Sequence, residues 1–313
     1  MPVRDRWDLT AACFERLRAQ TTRHDVVVVD NGSSDGTPGR VRAAFPDARV
    51  VELGANLGFS AACNAGVRAG SNEIVVLLNN DVECPPDFLE RLVAPFSGDE
   101  RLGSVAALLL TPADGRIESF GLAVDPTLAG YPRLRGSVAG EAQSTEPSLA
   151  GPSGAAGAYR RQAWEDVGGL DERVAFYGED VDLALRLRTA RWSATAAPDA
   201  VAIHAGSASA VERSAWQRYQ GGFSRGYFMR RYGVLRSRVG ARALATEAIA
   251  VVGDAFVFSR DLAALRGRMA GWRTGRGLPG LPYPPRDAIA HDITFAESLR
   301  LRRRVYSGAS PCT

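Results

Sequence analysis

Between Ile74 and Glu83 the chain reads I-V-V-L-L-N-N-D-V-E, five aliphatic residues running straight into Asn79, Asn80, Asp81 and Glu83. One ionised Asp beside amide side chains gathers hard oxygen donors. That set suits a divalent cation that keeps some water and takes its other ligands from a phosphate. Asp30 follows a second aliphatic run and opens D-N-G-S-S-D-G-T, where it can accept a hydrogen bond from a base imide or a ribose hydroxyl. Glu179-Asp180 head a helical stripe (Val181, Leu185), and the free N–H groups of a first helical turn favour a carboxylate there. Such an Asp can act as a general base. His204 ends Ala200 to His204 and is one of three histidines. Each has a plainer use as well: a capped strand end for Asp81, an Asx turn for Asp30, a helix cap for Asp180, and a structural histidine for His204.

The elements that must position these groups alternate. Asp8 to Arg18 has helical spacing, Val26 to Val29 is a strand, and Thr37-Pro38 starts a helix. Ala48 to Leu53 is a third strand, Gly54 to Gly70 a glycine loop entering a small-residue helix, and Ile74 to Leu78 a fourth strand. Uninterrupted aliphatic strands joined by helices predict a parallel α/β unit with Asp30 and Asp81 on one rim, where open sheets of this kind bind ligands. Phe88 to Phe96 reads as a helix and Ser104 to Leu110 as a strand. From Thr111 to Ser153 the pattern breaks down, and Gly136 to Gly154 has no periodicity, the mark of a lid, a binding loop or a disordered segment. Arg133 and Arg135 beside it face either a diphosphate or solvent.

Composition excludes several classes. At 313 residues and 45% hydrophobic, the chain can bury a full core and one appendage. A formal charge of +3 is too small to point to nucleic acid, and all 38 basic residues are Arg. No apolar run approaches the roughly 18 residues of a membrane span, and Met1 to Asp5 lacks the core of a signal peptide. Cys13, Cys63, Cys84 and Cys312 show no paired spacing, which suggests a reduced, cytoplasmic protein, at most at the inner face of the membrane.

Five segments in order resemble the inverting family 2 glycosyltransferases of GT-A fold, in the rhamnosyltransferase-like subgroup. They are V-V-D-N-G-S-S-D-G-T (28 to 37), N-L-G-F-S-A-A-C-N-A-G (56 to 66), L-L-N-N-D-V (77 to 82), G-G-L-D-E-R-V-A-F-Y-G-E-D-V-D-L-A-L-R-L-R (168 to 188) and the His204 segment. The resemblance implies an α/β GT-A domain over residues 1–209, with a donor half to about 110, an acceptor half beyond it, and a helical extension over 210–313. It further implies a donor pocket from Asp30, Asn31, Gly32, Asn56, Gly58, Asn64, Asn79, Asn80 and Asp81. Asp81 and His204 would hold Mg2+ or Mn2+, and Asp180, with Glu179 beside it, would be the catalytic base. The donor would be a nucleotide-diphosphate sugar, such as dTDP-rhamnose or a UDP-sugar. The acceptor would be a hydroxyl on a glycan, a lipid-linked intermediate or a small natural product. Asn79 stands where the family's D-x-D motif has its first Asp, and Pro2-Val3-Arg4 matches the point where the family's first strand has already ended, so most of that strand is expected to be missing.

The last third is rich in Arg and aromatics from Trp216 to Tyr232, helical from Ala241 to Trp272, and basic again at Arg300, Arg302, Arg303 and Arg304. Such segments suit a homodimer, a helical cap or an anionic membrane surface. Asp254 and Asp261 interrupt the basic face and favour packing or dimerisation over lipid. Gly275 to Arg286 reads as an extended linker. Two other classes stay open: a non-catalytic nucleotide-sugar binder or scaffold, and a sugar nucleotidyltransferase, which should carry a glycine-rich loop with a basic residue that is not seen here.

Overall fold

Residues alternating between a buried and an exposed face decide where each element lies. The computed structural model describes residues 1–145, 147–205 and 214–307, with the backbone alone for Phe258 and 303–307. The expected domain boundary at 209/210, Ser207 to Ser209, Cys312 and the side chains of Arg303 and Arg304 therefore lie outside the described residues.

The first half follows the alternating pattern: β1 (Pro2–Val3), α1 (Trp7–Arg18), β2 (Val27–Asp30), α2 (Thr37–Ala44), β3 (Arg49–Glu52), α3 (Phe59–Ala69) and β4 (Ile74–Leu78). α1 buries Thr10, Cys13, Phe14 and Leu17, one stripe at helical spacing, and Phe14 stacks on Phe45 at 4.2 Å. Then come β5 (Val82–Glu83), α4 (Phe88–Val93), β6 (Leu102–Leu110), β7 (Ile117–Ser119), β8 (Leu122–Val124), β9 (Gly130–Pro132), β10 (Ala156–Arg160), α5 (Arg161–Asp166), α6 (Glu179–Thr189) and β11 (Ser193–His204). The last third is α7 (Ala215–Arg231), α8 (Gly240–Gly253), α9 (Ala263–Thr274) and α10 (Phe295–Ser307), with a π-helical turn at Asp254–Phe258.

β1, β2 and β3 form a parallel sheet in that order, and a second sheet runs β4-β10-β6-β11-β5 with β7 on β6. β6 reads as an unbroken apolar run because both its faces are covered. Leu89, Leu92 and Phe96 share a core with one face, and Trp164, Leu183 and Leu187 form another core on the side of α5 and α6. β6 and β11 are parallel, while β10 runs antiparallel between β4 and β6. The parallel partner expected for β4 is thus replaced by the antiparallel β10 among the described residues. Pro2 and Val3, expected from the sequence to lie beyond the family's first strand, instead form the two-residue β1, paired with Val29 and Asp30. Beside this short strand, between β2 and β4, lies a cavity of about 440 Å³ lined by Met1, Val27, Val29, Ile74, Val76 and Leu78 among others. Its largely aliphatic wall includes none of Asp81, Asp180 and His204.

The stretch from Thr111 to Ser153, patternless in sequence, contains β7 and the β8–β9 hairpin, whose three-residue strands are too short to display a period. Arg133 is buried, not solvated. Its guanidinium donates to the carbonyls of Pro147 (2.7 Å) and Ser144 and holds the 136–154 loop, while Arg135 is exposed.

Candidate functional site

β4 ends at Leu78, and its neighbour β10 begins at Ala156 directly opposite. The pairing continues one step further, where the N–H of Asn79 donates to the carbonyl of Ala155 at 2.9 Å. This step carries Asn79, Asn80 and Asp81 out of the sheet beside Gly154. The turn is anchored by Asn80, whose amide donates to Thr10 Oγ1 on α1 at 3.0 Å. β5 then pairs antiparallel with the end of β11, His204 opposite Val82, and the N–H of Ala205 donates to the Asp81 carbonyl at 3.0 Å. Register alone therefore sets His204 against Asp81.

His204 Nε2 faces Asp81 Oδ1 at 3.3 Å, and both side chains are largely buried. On the other side of the ring Nδ1 faces Glu118 Oε2 at 3.4 Å. Burial opposes a charge on the imidazole, but hydrogen bonds to the two carboxylates outweigh it and lift the His204 pKa to about 9. Sequence reading missed Glu118. It lies on a three-residue strand, 86 positions from its partner, and nothing in the local pattern marks it.

Asp180 is the second residue of α6, which starts after Gly178 in a left-handed conformation (φ 106°). Its carboxylate accepts from the N–H of Gly154 at 3.0 Å and of Val181 at 2.8 Å. Gly154 adjoins Ala155, whose carbonyl holds Asn79, so Asp180 is bonded to the same stretch of backbone as the turn that carries Asp81. A Cβ built on Gly154 would lie 3.5 to 3.7 Å from Glu179, Phe59 and Asp180, which shows how closely these groups surround that backbone. Burial raises the Asp180 pKa and outweighs the two N–H groups that lower it. Burial, then the charge of Asp180, pushes Glu179 well above the usual carboxylate range. Both carboxyls of the pair are thus shifted upward by burial, Glu179 the further because it also meets the charge of Asp180.

The single sheet edge expected for Asp30 and Asp81 is divided: β2, which Asp30 ends, lies in the three-stranded sheet and β4, which Asp81 follows, in the other, and the loops around Asp30 are held by asparagine clamps. Asp30 ends β2 and accepts from the N–H of Ser33 at 3.2 Å, an Asx-type turn. Asn31 donates to Asn56 Oδ1 (3.1 Å) and the Gly58 carbonyl (3.2 Å) and accepts from the N–H of Leu57 (2.8 Å). Gly32 (φ 79°) is required there, since a Cβ would lie 2.7 Å from the backbone of Ala55. Asn64 donates to the Leu170 carbonyl (2.9 Å) and Glu172 (3.0 Å) and accepts from the N–H of Leu170 (3.0 Å). Its amide is thereby engaged in joining α3 to the 168–172 loop. Beside Glu179, Tyr177 adopts φ 60°, costly for a non-glycine residue, and stands edge-on to Trp216 at 5.9 Å, with Phe176 on the same indole at 5.0 Å. Tyr177 and Trp216 are both exposed.

Among the described residues no three His, Cys, Asp or Glu side chains close on one point to hold a metal by themselves. Asp81 and His204 offer one carboxylate oxygen and one imidazole nitrogen across a short, buried gap. This pair fits a divalent cation that accepts a carboxylate and one imidazole, with the rest of the coordination shell supplied from outside the chain.

The profile of the family described as "Glycosyl transferase family 2" matches residues 1–168. An N-acetylglucosaminyl-diphospho-decaprenol L-rhamnosyltransferase of Mycobacterium tuberculosis is 32% identical over 57% of this chain and 66% of its own length. The O-antigen biosynthesis protein RfbC of Myxococcus xanthus is 32% identical over 67% of this chain and 17% of its own. The chain thus spans less than two thirds of the length of either relative. In fold it is similar to a mannosyltransferase of Pyrobaculum calidifontis solved with GDP-Man and Mn2+, with TM-score 0.55, 20% identity, and coverage of 97% of this chain and 83% of that one. It is also similar to GalNAc-T7 solved with UDP, GalNAc and Mn2+, with TM-score 0.59, 14% identity, and coverage of 89% and 54%. The fold is of GT-A type, and the chain belongs to glycosyl transferase family 2, where it is similar to the rhamnosyltransferases.

Proposed function

We propose that this protein is an inverting glycosyltransferase that moves a sugar from a nucleotide diphosphate to an acceptor hydroxyl in one displacement, with Asp180 as the base. The observation that carries this reading is the 3.0 Å hydrogen bond from Gly154 to Asp180, next to the Asn79–Ala155 pairing that places Asp81. The acceptor oxygen attacks the anomeric carbon from the face opposite the diphosphate. The bond to the diphosphate oxygen breaks, the nucleoside diphosphate departs with the electron pair, and the hydroxyl proton passes to Asp180. Attack from the opposite face inverts configuration, as when a carboxylate activates the nucleophile in inverting glycosidases. Asp81 and His204 would hold the cation, which when bound offsets charge on the diphosphate.

Asp30 is placed to meet the nucleobase or ribose, and Asn79 and Asn80 flank the diphosphate. Asn31, Gly32, Asn56, Gly58 and Asn64 serve the donor by shaping its loops. The relatives' names favour a deoxyhexose donor such as dTDP-rhamnose and a lipid-linked acceptor. Tyr177 and Trp216 form an exposed aromatic platform next to the base, of the kind that covers the apolar face of an acceptor sugar.

Thermal protection by uridine, thymidine and guanosine diphosphate sugars, with and without Mn2+ or Mg2+, identifies the donor. With that donor, Asp180→Asn should lower transfer by a factor on the order of 10² to 10⁴ while leaving protection by the nucleotide intact. Undiminished transfer would remove Asp180 from the reaction. Protection without any transfer in the parent protein would instead make it a nucleotide-sugar binder.

A further inference from the structure

α8 is amphipathic in the reverse sense. Its inner face buries Gly240, Ala243, Thr246 and Glu247, while Ala241, Leu244, Ala245, Ala248, Ile249 and Val252 are exposed. That outer spacing follows one face of a helix and contains no charged or polar side chain. The face continues into the π-helical turn, where Phe256 is 74% and Val257 65% exposed. A surface helix ordinarily turns such residues inward, and a contiguous apolar patch marks an interaction site.

Along the chain from 235 to 260 the exposed charges have one sign, and the nearest exposed acids on the packed α10 segment are Asp292 and Glu297. Arg236 and Arg238 are exposed just before α8, and Arg260 just after the turn. The acids between residues 235 and 260 are Glu247 and Asp254, and both are buried. Glu247 is held by Arg225, Arg268 and Arg302, whereas Asp254 accepts from the Ser259 hydroxyl and faces Arg218 at 3.7 Å. Asp261 also pairs with Arg218. Asp254 and Asp261, which the sequence suggested would interrupt the basic face, are thus turned onto the protein's own arginines.

This pattern discriminates between occupants. In a twofold dimer the patch meets itself, so Arg236 and Arg238 of one copy would approach Arg260 of the other with no exposed acid from the 235–260 segment to answer them. A bilayer with anionic headgroups satisfies both features, taking the apolar stripe into the acyl boundary and the arginines onto phosphates. Among the described residues no helix is long and apolar enough to cross a membrane. We propose that α8 and the turn after it form a docking face for an anionic lipid surface, with Leu244, Ile249, Val252, Phe256 and Val257 as its apolar contacts. The proposal does not depend on the transfer reaction.

Co-sedimentation of the full chain with vesicles tests it, using phosphatidylcholine alone and phosphatidylcholine with about a third phosphatidylglycerol. The parent should bind the anionic vesicles, less so at high salt. Leu244→Glu/Val252→Glu should abolish binding without changing Tm, and Phe256→Ser/Val257→Ser should do so from the other end of the face. Arg236→Gln/Arg238→Gln should weaken binding about 25-fold, at roughly fivefold per arginine. No binding to anionic vesicles, or equal binding by the parent and both apolar variants, overturns the proposal. So does a parent dimer that Leu244→Glu/Val252→Glu splits, because the face then belongs to a second copy.

Discussion

Glu118 and Asp81 hold the His204 ring from its two nitrogens, and the ring's role follows from that arrangement. A carboxylate on Nδ1 selects the tautomer and orients the ring, leaving Nε2 directed at the gap shared with Asp81. Glu118→Ala is therefore expected to weaken Mn2+ binding about 10- to 100-fold in calorimetric titration, and Glu118→Gln less, because its amide oxygen still accepts from Nδ1–H. An unchanged Mn2+ affinity in Glu118→Ala would show that the contact is incidental. The same triad carries a pH signature. Because the His204 pKa is raised to about 9 in the folded protein, from about 6.5 when unfolded, its contribution to stability is complete below about pH 6.5. The contribution disappears as pH rises through 9. Urea unfolding of the metal-free protein across this window should show a loss that His204→Ala lacks, and parallel curves for the two proteins would contradict it.

At the scale of elements, the closest packing is between α7 and α9, where glycines meet backbone. A Cβ on Gly226 would lie 2.0 Å from the Arg268 carbonyl, and one on Gly271 would lie 1.9 Å from that of Phe223. Gly222 and Gly267 complete the contact from the same two helices. Gly226→Ala gains helix propensity of about 1 kcal/mol but must force the helices apart, at a cost of roughly 1 to 3 kcal/mol or more. Net destabilisation in chemical denaturation is expected; a variant as stable as the parent would mean that α7 and α9 sit further apart.

Across the whole molecule, the C-terminal helices are tied to the α/β part through charge buried in its interior. Glu247 on α8 meets Arg225 on α7 (2.8 Å), Arg268 on α9 (2.7 Å) and Arg302 on α10. Arg225 and Arg302 in turn donate to the carbonyl (2.9 Å) and hydroxyl (3.0 Å) of Thr127. One apolar cluster runs from Leu122, Val181 and Leu185 to Tyr227, Phe228 and Ile289, so the two regions share a core. The three guanidiniums oppose the cost of burial and hold Glu247 well below the usual carboxylate range. Glu247→Gln leaves them without their counter-charge, and a loss of about 3 to 5 kcal/mol is expected by urea denaturation. A loss confined to the C-terminal helices, with the α/β part unfolding as before, would show that the two regions are independent.

The positions of Asp30, Asp81 and Asp180 were legible in the sequence because each sits at the junction of an aliphatic or periodic run with polar residues, and such junctions are local. Strand ends and helix starts follow from a few neighbouring side chains, and so did β2, β3, α3 and α6. The partners of these groups came from tertiary structure. Glu118 reaches His204 through sheet register, Asp180 reaches the Asp81 turn through the backbone of Gly154, and β4 finds an antiparallel neighbour 82 residues on, Ala156 opposite Leu78 at one end of the pairing and Ile74 opposite Arg160 at the other. The sign of the α8 surface was decided in the same way. Chain order counts Glu247 and Asp254 as acids among arginines, but packing buries both against other helices and leaves only the apolar stripe and the positive charge facing out.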